Sequence, residues 1–437
     1  MKPYIGVWTS KNEMLQIGYK RTLEFYAECG VTTIIVGYEG AHPEYYRSLR
    51  KIPPMKREES PPTLKEICCM AKDLGLEVEV VIDPKSSELA SSFPETSVVD
   101  VLGNRSSSIS CPSNPDVTEY VLARIRDIAE NYEEIAGLEL DGLYIDMHAR
   151  MTNPYGQPGA FYPLHHVAPE TCFCEHCHRF AREEGIDVER IKKTVKVLTG
   201  RSLENSPETF YNLYDTFRGA YDMVRFLLDY PELIEWLNFR CRIVERGLET
   251  IWKTVKSINP KLVLSDDMLP PTWSWSIGQD YRRHRDYCDY YKMIFFHRRT
   301  GSFEVNPLLA IKNKVPSICE EDIMDLFKRL TGYEGPPSFV EFSQYGFPPI
   351  NVYYEVRKAR EEVGSDYPIV AGIVGDAPAT PGDIEAAMTM AAEGGANGFC
   401  LHTWYGRTTP SNYAAFGNKG QEIARGRRGF NLRERRG

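Results

Sequence analysis

The chain has 437 residues, of which 42% are hydrophobic and 26% charged, and its 61 acidic and 52 basic side chains give a net charge of −9. This length exceeds one ordinary domain but suits a single barrel of roughly 250 residues or more that carries large insertions. The acidic balance argues against nucleic acid as a partner, because phosphate binding needs a basic face.

Short apolar strands alternate with helical patterns, which predicts a parallel sheet covered by helices. The predicted strands are Tyr4–Thr9, Thr32–Tyr38, Glu77–Asp83, Gly142–Asp146, Leu262–Asp266, Tyr290–Phe296, Ile369–Val374 and Gly398–His402. The predicted connecting helices include Glu13–Glu28, Thr63–Leu74, Val117–Asn131 and Ile384–Ala392. Eight strands close a TIM barrel, so we predict an α/β fold of the (β/α)8 type.

The predicted barrel is interrupted by one large, mostly helical insertion after its fourth strand. Residues 1–150 are predicted as the first half of the barrel, 151–258 as the insertion, 259–424 as the second half and 425–437 as a disordered basic tail. No apolar run reaches the ~20 residues of a membrane-spanning helix, so we expect no membrane partner.

The expected compartment is the cytoplasm. A strand pattern begins at Tyr4 and leaves no room for a signal peptide. The 11 cysteines are an odd number and include the neighbours Cys68 and Cys69, which is unlike a secreted disulfide framework.

Three cysteines of the insertion, Cys172, Cys174 and Cys177, form a C-x-C-x-x-C run. Thiols at this spacing can turn inward on one loop and, with a fourth sulfur, complete the tetrahedral site that zinc prefers. Cys111, in a Ser-Cys-Pro-Ser-Asn-Pro segment, is the predicted fourth ligand. An all-thiolate site leaves no open coordination position, so we expect a structural zinc. The alternative is a set of reduced thiols, some of them packed in a core.

Catalytic side chains of a TIM barrel come from the carboxyl ends of its strands, and here those ends are rich in acids and aromatic rings. The candidates are Trp8, Tyr38, Glu39, Asp83, Asp146, His148, Arg150, Asp266, Asp267, His297, Asp376, His402 and Trp404. Carboxylates interleaved with aromatic rings suit a sugar, because the rings stack and two acids can cleave a glycosidic bond.

Several of these candidates carry an alternative interpretation. Of the neighbours Asp266 and Asp267, one should face the barrel interior and the other the helical layer. Asp376, in Gly-Asp-Ala-Pro, has the composition of a turn former. His297 and His402 are either substrate contacts or hydrogen-bonded core histidines.

The cysteine pattern resembles that of the β-galactosidases of glycoside hydrolase family 42, in which a Cys-Pro segment and a Cys-Tyr-Cys-x-x-Cys run hold a zinc ion beside the active site. The resemblance implies zinc ligation by Cys111, Cys172, Cys174 and Cys177. The segments Gly278–Tyr281 and Gly395–Trp404 are similar to barrel proteins called glycosyl-hydrolase-like.

The chain departs from that family at both catalytic positions. Where the family has Asn-Glu at the end of the fourth strand, this sequence has Ile145-Asp146-Met147-His148, and where strand seven should supply a nucleophilic Glu it has Asp376. An Asp-Met ending of the fourth strand also resembles α-glycosidase barrels in which this Asp is the nucleophile.

The sequence therefore predicts a glycoside hydrolase that acts on a small oligosaccharide or glycoside. Asp146 is the predicted nucleophile or principal carboxylate, with Arg150 as its partner, and Asp267 is the predicted acid/base, with Asp376 as its substitute. The predicted hydroxyl-binding residues are Glu39, Asp83, His148, Arg150, His297 and His402, and the predicted stacking residues are Trp8, Tyr38 and Trp404. The alternatives are a non-catalytic sugar-binding barrel and a metal-dependent hydrolase with His148, His297 and His402 as ligands. A homo-oligomer is left open.

Overall fold

A computed structural model describes residues 3–38, 43–45, 61–84, 87–142, 172–202, 206–295, 297–298, 305–336, 338–403 and 406–426. The strands in these ranges are β1 Tyr4–Thr9, β2 Thr33–Gly37, β3 Glu77–Ile82, β4 Ser97–Val99, β5 Arg105–Ser110, β6 Gly137–Leu140, β7 Val263–Met268, β8 Tyr290–Ile294, β9 Ile369–Val374 and β10 Gly398–His402.

Helices fill most of the remaining described chain. Their bounds are Lys11–Gln16, Tyr19–Glu28, Leu64–Asp73, Ser87–Ser92, Pro115–Asn131, Glu175–Glu183, Val188–Ser202, Pro207–Thr216, Ala220–Asp229, Pro231–Ile258, Pro271–Ser274, Tyr281–His284, Val305–Lys314, Glu320–Thr331, Phe339–Tyr345, Ile350–Val363, Pro381–Gly394 and Pro410–Gly426. Single 3-10 turns occur at Pro43–Tyr45, Pro94–Thr96, Trp275–Ile277 and Arg285–Tyr287. None of the described helices combines the length and the apolar character needed to span a bilayer.

Eight parallel strands form a closed barrel in the order β1, β10, β9, β8, β7, β6, β3, β2. The ring closes where β1 pairs with β10 on one side and with β2 on the other. The predicted (β/α)8 fold is therefore confirmed. The other two strands, β4 and β5, form a separate antiparallel hairpin that the sequence analysis did not predict.

The two faces of each barrel strand have different surroundings, because successive side chains alternate. Inward-facing side chains such as Tyr4, Ile35 and Val370 form a small cluster inside the barrel. Outward-facing ones such as Ile5 and Ile34 join the main core under the helices. In a strand, a charged residue with inward parity must therefore find its partners across the barrel interior.

The fourth barrel strand differs from its prediction. It is β6, Gly137–Leu140, which pairs with β3 and β7. Its alternation places Leu138 and Leu140 in the outer core and Glu139 inside the barrel. The predicted strand Gly142–Asp146 begins after this strand has ended, and residues 143–146 lie outside the described ranges.

The predicted helix Glu13–Glu28 is two helices, Lys11–Gln16 and Tyr19–Glu28. They are separated at Gly18, whose φ of +88° is incompatible with a continuous helix. In the insertion, the 28-residue helix Pro231–Ile258 leads back to the barrel and buries one face that includes Trp236 and Phe239.

Candidate active site

The interior of the barrel contains a fully buried group of three charged residues, Glu139 on β6, Asp267 on β7 and Lys292 on β8, which we call the interior triad. The Lys292 Nζ lies 2.8 Å from Asp267 Oδ1 and forms a shorter ion pair with Glu139 Oε1. The second oxygens, Glu139 Oε2 and Asp267 Oδ2, have no hydrogen-bond partner among the described residues. One ammonium group therefore serves two carboxyl groups.

Burial governs the protonation of the interior triad, since a desolvated site disfavours charge. Burial raises the pKa of Glu139 to about 7, against the opposing effect of Lys292. Burial, followed by the Glu139 charge, raises the pKa of Asp267 well above its usual range. Burial would lower the pKa of Lys292, but Asp267 and Glu139 outweigh it and the pKa rises. The directions of these shifts favour a charged lysine and a protonated form of at least one of the two acids.

Trp8 lies at the carboxyl end of β1, next to the interior triad. Its ring centroid is 4.3 Å from Lys292 Nζ, a cation–π contact, and the ring itself is half-buried. The edge of the His402 ring packs against Trp8 at 4.8 Å and 85°. Burial and the Lys292 charge lower the pKa of His402, so the imidazole is neutral.

A second polar layer lies deeper in the barrel, around Glu79 of β3. Its Oε2 accepts hydrogen bonds from Tyr4 at 2.9 Å and from Tyr290 at 2.6 Å. The two phenolic oxygens are also 2.9 Å apart. Both tyrosines belong to the small interior cluster, so this layer closes the barrel beneath the interior triad.

Two further acids stand at the carboxyl ends of neighbouring strands, Asp83 after β3 and Asp141 after β6, and both are half-buried. The Asp141 N–H donates to the Ile82 carbonyl at 3.0 Å, which extends the strand pairing by one residue. Burial is the main cause of the raised pKa of Glu139 and Asp267, and the Asp141 charge adds to both. Asp141 therefore lies close to the interior triad.

Asp141 is the acid that ends the fourth barrel strand in the structure, the position at which the sequence analysis placed Asp146. The sequence signal was the alternation of Gly-Leu-Glu-Leu-Asp from Gly137, which gives Glu139 and Asp141 the same inward parity. Lys292 was also missed, although a charged residue in the buried run Tyr-Tyr-Lys-Met-Ile is a signal of its own.

The predicted difference between Asp266 and Asp267 is confirmed, since Asp267 faces the interior and the alternating strand turns Asp266 outward. Asp376 begins a turn, in which its carbonyl accepts from the Ala379 N–H at 3.0 Å. Its Oδ1 accepts from the Arg407 N–H at 3.0 Å and from the Thr408 hydroxyl at 2.8 Å, so the side chain joins this turn to a distant segment of the chain. This geometry fits the turn-forming alternative, and the role of substitute acid/base stays a prediction.

Tyr38 is not a stacking residue of the barrel mouth. Tyr38 follows β2, and its side chain lies against the helix Pro115–Asn131, where its O–H donates to Asp127 at 2.9 Å. His297 follows β8 and is completely buried, and burial lowers its pKa to about 3.

Five predicted site residues lie outside the described ranges. They are Glu39, Asp146, His148, Arg150 and Trp404. Their assignments stay predictions. Trp8, Asp83, Asp267 and His402 are the predicted residues that the structure places at the carboxyl ends of strands β1, β3, β7 and β10.

The four predicted metal ligands, Cys111, Cys172, Cys174 and Cys177, are buried and free, and their sulfur atoms lie within 4.8 Å of one another. Three sulfur–sulfur distances are 3.6 and 3.7 Å. A tetrahedral zinc with Zn–S bonds of about 2.3 Å has sulfurs about 3.8 Å apart, so the cluster fits such an ion.

Local structure explains how these distant cysteines meet. Cys111 follows the hairpin strand β5, and the Val99 N–H of strand β4 points at Cys172 Sγ, 3.4 Å away. Cys174 precedes the helix Glu175–Glu183, and Cys177 lies in its first turn. Hydrogen bonds from the neighbouring thiols, Cys111 first, lower the pKa of Cys174. The cluster therefore joins the hairpin to the first described helix of the insertion.

Phe173, between two of the cysteines, stacks on Trp236 with ring centroids 4.6 Å apart and planes at 2°. Since Trp236 belongs to the helix Pro231–Ile258, this contact ties the cysteine cluster to the far end of the insertion.

No protein-family model matches the sequence, and no curated protein matches it. Solved structures do match. The β-galactosidase of the Antarctic haloarchaeon Halorubrum lacusprofundi superposes with a TM-score of 0.56 at 12% identity, over 96% of this chain and 58% of that one. The β-galactosidase of Marinomonas ef1 gives 0.56 at 11% identity, over 97% and 60%. A GH42 β-galactosidase of G. stearothermophilus gives 0.55 at 10% identity, over 96% and 56%.

At such low identity the likeness is one of fold. The fold similarity to GH42 β-galactosidases that the sequence implied is confirmed. The chain spans less than two thirds of the length of these structures.

Proposed function

We propose that the protein is a glycoside hydrolase that uses two carboxyl groups at the carboxyl ends of its barrel strands. The proposal rests on the surroundings of Asp267, an inward-facing acid with a raised pKa. It contacts Lys292, and the half-buried ring of Trp8 lies over the Lys292 ammonium. A general acid must keep its proton at the working pH, and a ring at the barrel mouth can stack on a sugar.

Asp267 is the general acid of this proposal. Its Oδ1 is held by Lys292, while its Oδ2 has no hydrogen-bond partner among the described residues and is the oxygen that can donate to a glycosidic oxygen. The second carboxylate comes from the segment that follows β6. Asp146 is its sequence-predicted source, and Asp141 is the acid that the described structure offers there.

The substrate class of the proposal is a small glycoside. Galactosides are the first substrates to test, because the similar structures are named β-galactosidases. This chain spans little more than half of those proteins, so their activity enters only as a guide to the first substrates to test.

The test is a panel of aryl and alkyl glycosides assayed with the wild type and with Asp267→Asn, Asp141→Asn and Asp146→Asn. Loss of a general acid should lower turnover of alkyl glycosides by about 10²–10⁴-fold, and lower it far less for a nitrophenyl glycoside, whose leaving group needs no proton. Loss of the second carboxylate should affect both substrates. Asp73→Asn, at an exposed helix end, is the matched control.

The proposal is wrong for Asp267 if Asp267→Asn lowers turnover of the alkyl glycoside and of the nitrophenyl glycoside by the same factor. The complete burial of the Asp267 side chain favours one alternative, a barrel that binds sugar without cleaving it. In that case calorimetry would detect sugar binding that a Trp8→Ala variant loses, with no turnover of any glycoside.

The metal-dependent alternative needs histidine ligands that converge on one point. In the described chain, no group of three or more ligands containing His297 or His402 is found.

We also propose that Cys111, Cys172, Cys174 and Cys177 hold one structural zinc ion. Four buried thiols at tetrahedral spacing support it, and four sulfur ligands leave no position for substrate. The measurement is the metal content of the purified protein, with one zinc per chain as the expected result.

A further inference from the structure

The interior triad contains an unbalanced charge. Glu139 and Asp267 would carry two negative charges if both were ionised, against one positive charge on Lys292. All three side chains are completely removed from solvent. A net charge in such a site is costly, and the simplest relief is one proton held by the two acids.

The surroundings of the interior triad offer no second cation within the described chain. The other titratable groups that face it are Tyr4, Glu79, Asp141, Tyr290, Cys400 and His402. Two of these are further acids and the histidine is neutral. The inward residues of β2 and β9, Ile35 and Val370, are apolar. Among the described residues, Lys292 is therefore the cation that contacts Glu139 and Asp267.

The ammonium group of Lys292 contacts two carboxyl groups and one aromatic ring. Its Nζ is held by Asp267 at 2.8 Å and by Glu139, and the ring of Trp8 covers it at 4.3 Å. The ammonium cannot move toward one acid without leaving the other, so it keeps both carboxyl groups in a fixed geometry.

We propose that Lys292 is a positioning residue, whose ammonium joins Glu139 and Asp267 into an acid pair that shares one proton and so keeps Asp267 ready to donate. This inference rests on the proposed function of Asp267 as general acid. It gives the two neighbours of Asp267 opposite roles. The negative charge of Glu139 strengthens the hold of Asp267 on the shared proton, and the ammonium of Lys292 weakens it.

The proposal predicts opposite effects of two substitutions on the basic limb of the pH profile of kcat/KM. Glu139→Gln removes a negative neighbour of Asp267, so its pKa falls and the limb moves to lower pH. Lys292→Met removes the positive neighbour, so the pKa rises and the limb moves to higher pH. We expect shifts of about one pH unit or more, and Lys292→Arg should restore most of the wild-type profile.

A structural role for Lys292 would lower activity or stability without moving the two limbs in opposite directions, and that result would overturn the proposal. Lys253→Met, an exposed lysine on the helix Pro231–Ile258, is the control. If Lys292→Met does not fold, Glu139→Gln still decides the matter, because an unmoved or raised limb contradicts the shared proton.

A second measurement needs no turnover and separates this inference from the proposed function. The native wild type should hold, near neutral pH, a proton that Glu139→Gln has released, which appears as a difference in the pH dependence of their unfolding free energies. Proton uptake without glycosidase activity would reject the proposed function and keep the acid pair. Activity without proton uptake would reject the acid pair.

Discussion

Replacing Glu139 by Gln tests whether a carboxyl group inside the barrel holds a proton near neutral pH. The substitution keeps the size of the side chain and removes its titration. Burial raises the Glu139 pKa from 4.5 to about 7, so between these values the native protein binds a proton that the unfolded chain has released. The free energy of unfolding of the wild type must therefore fall as pH rises through this window.

The magnitude follows from the shift. A rise of about 2.5 pKa units, from 4.5 to about 7, corresponds to about 3 kcal/mol at 1.36 kcal/mol per unit. This contribution is fully present below pH 4.5 and is lost by about pH 7. Because the side chain is completely buried, solvent does not screen the effect. Asp267, whose pKa the Glu139 charge also helps to raise, acts in the same direction.

Urea unfolding at several pH values between 4.5 and 8, at constant ionic strength, gives the unfolding free energy of wild type and Glu139→Gln. We expect the stability of the variant relative to the wild type to rise by about 3 kcal/mol across this range, most of it below pH 7. The control is Glu130→Gln, on an exposed face of the helix Pro115–Asn131. Its unfolding free energy should differ from that of the wild type by the same amount at every pH.

A difference between Glu139→Gln and wild type that does not change with pH would refute the reasoning. It would mean that Lys292 stabilises both ionised carboxylates and that no proton is shared. A difference that falls as pH rises would show that the carboxylate is more stable in the barrel than in water.

Three further substitutions probe other contacts. Cys174→Ser should abolish the bound zinc measured by elemental analysis and lower the melting temperature, whereas Cys69→Ser, at an exposed thiol, should change neither. Asp376→Ala removes the acceptor of the hydrogen bonds from Arg407 and Thr408 and should cost about 1–3 kcal/mol in urea unfolding, with KM unchanged. Arg124→Met frees the backbone carbonyls that end β2 and β3, so we expect a similar loss of stability and a higher KM.

Short apolar runs were enough to predict seven of the eight barrel strands, because each of these strands is buried and bounded by turns. The fourth failed for a physical reason. β6 has only four residues and contains the charged Glu139, whereas the run from Gly142 to Asp146 is more apolar. In this barrel the charge is accommodated by Lys292, 153 residues later, and such a partner cannot be recognised from local sequence.

The cysteine cluster was predictable because metal ligation constrains spacing within one loop, and the four sulfurs do meet. The acids were predicted from strand ends alone. That rule found Asp83 and Asp267 and overlooked Lys292, which lies in the middle of β8. It also assigned Tyr38 to the mouth, because a residue just beyond a strand end gives no sign of the face it will take.

The interior triad also constrains how this barrel can change over evolutionary time. Loss of Glu139 leaves Lys292 and Asp267 as a neutral ion pair, which a buried site tolerates, whereas loss of the lysine first leaves two acids without a counter-ion. Among descendants of this sequence that lack Lys292, we therefore expect one of the two acids to have been replaced before the lysine. The interior triad thus constrains the order of the substitutions as well as their final combination.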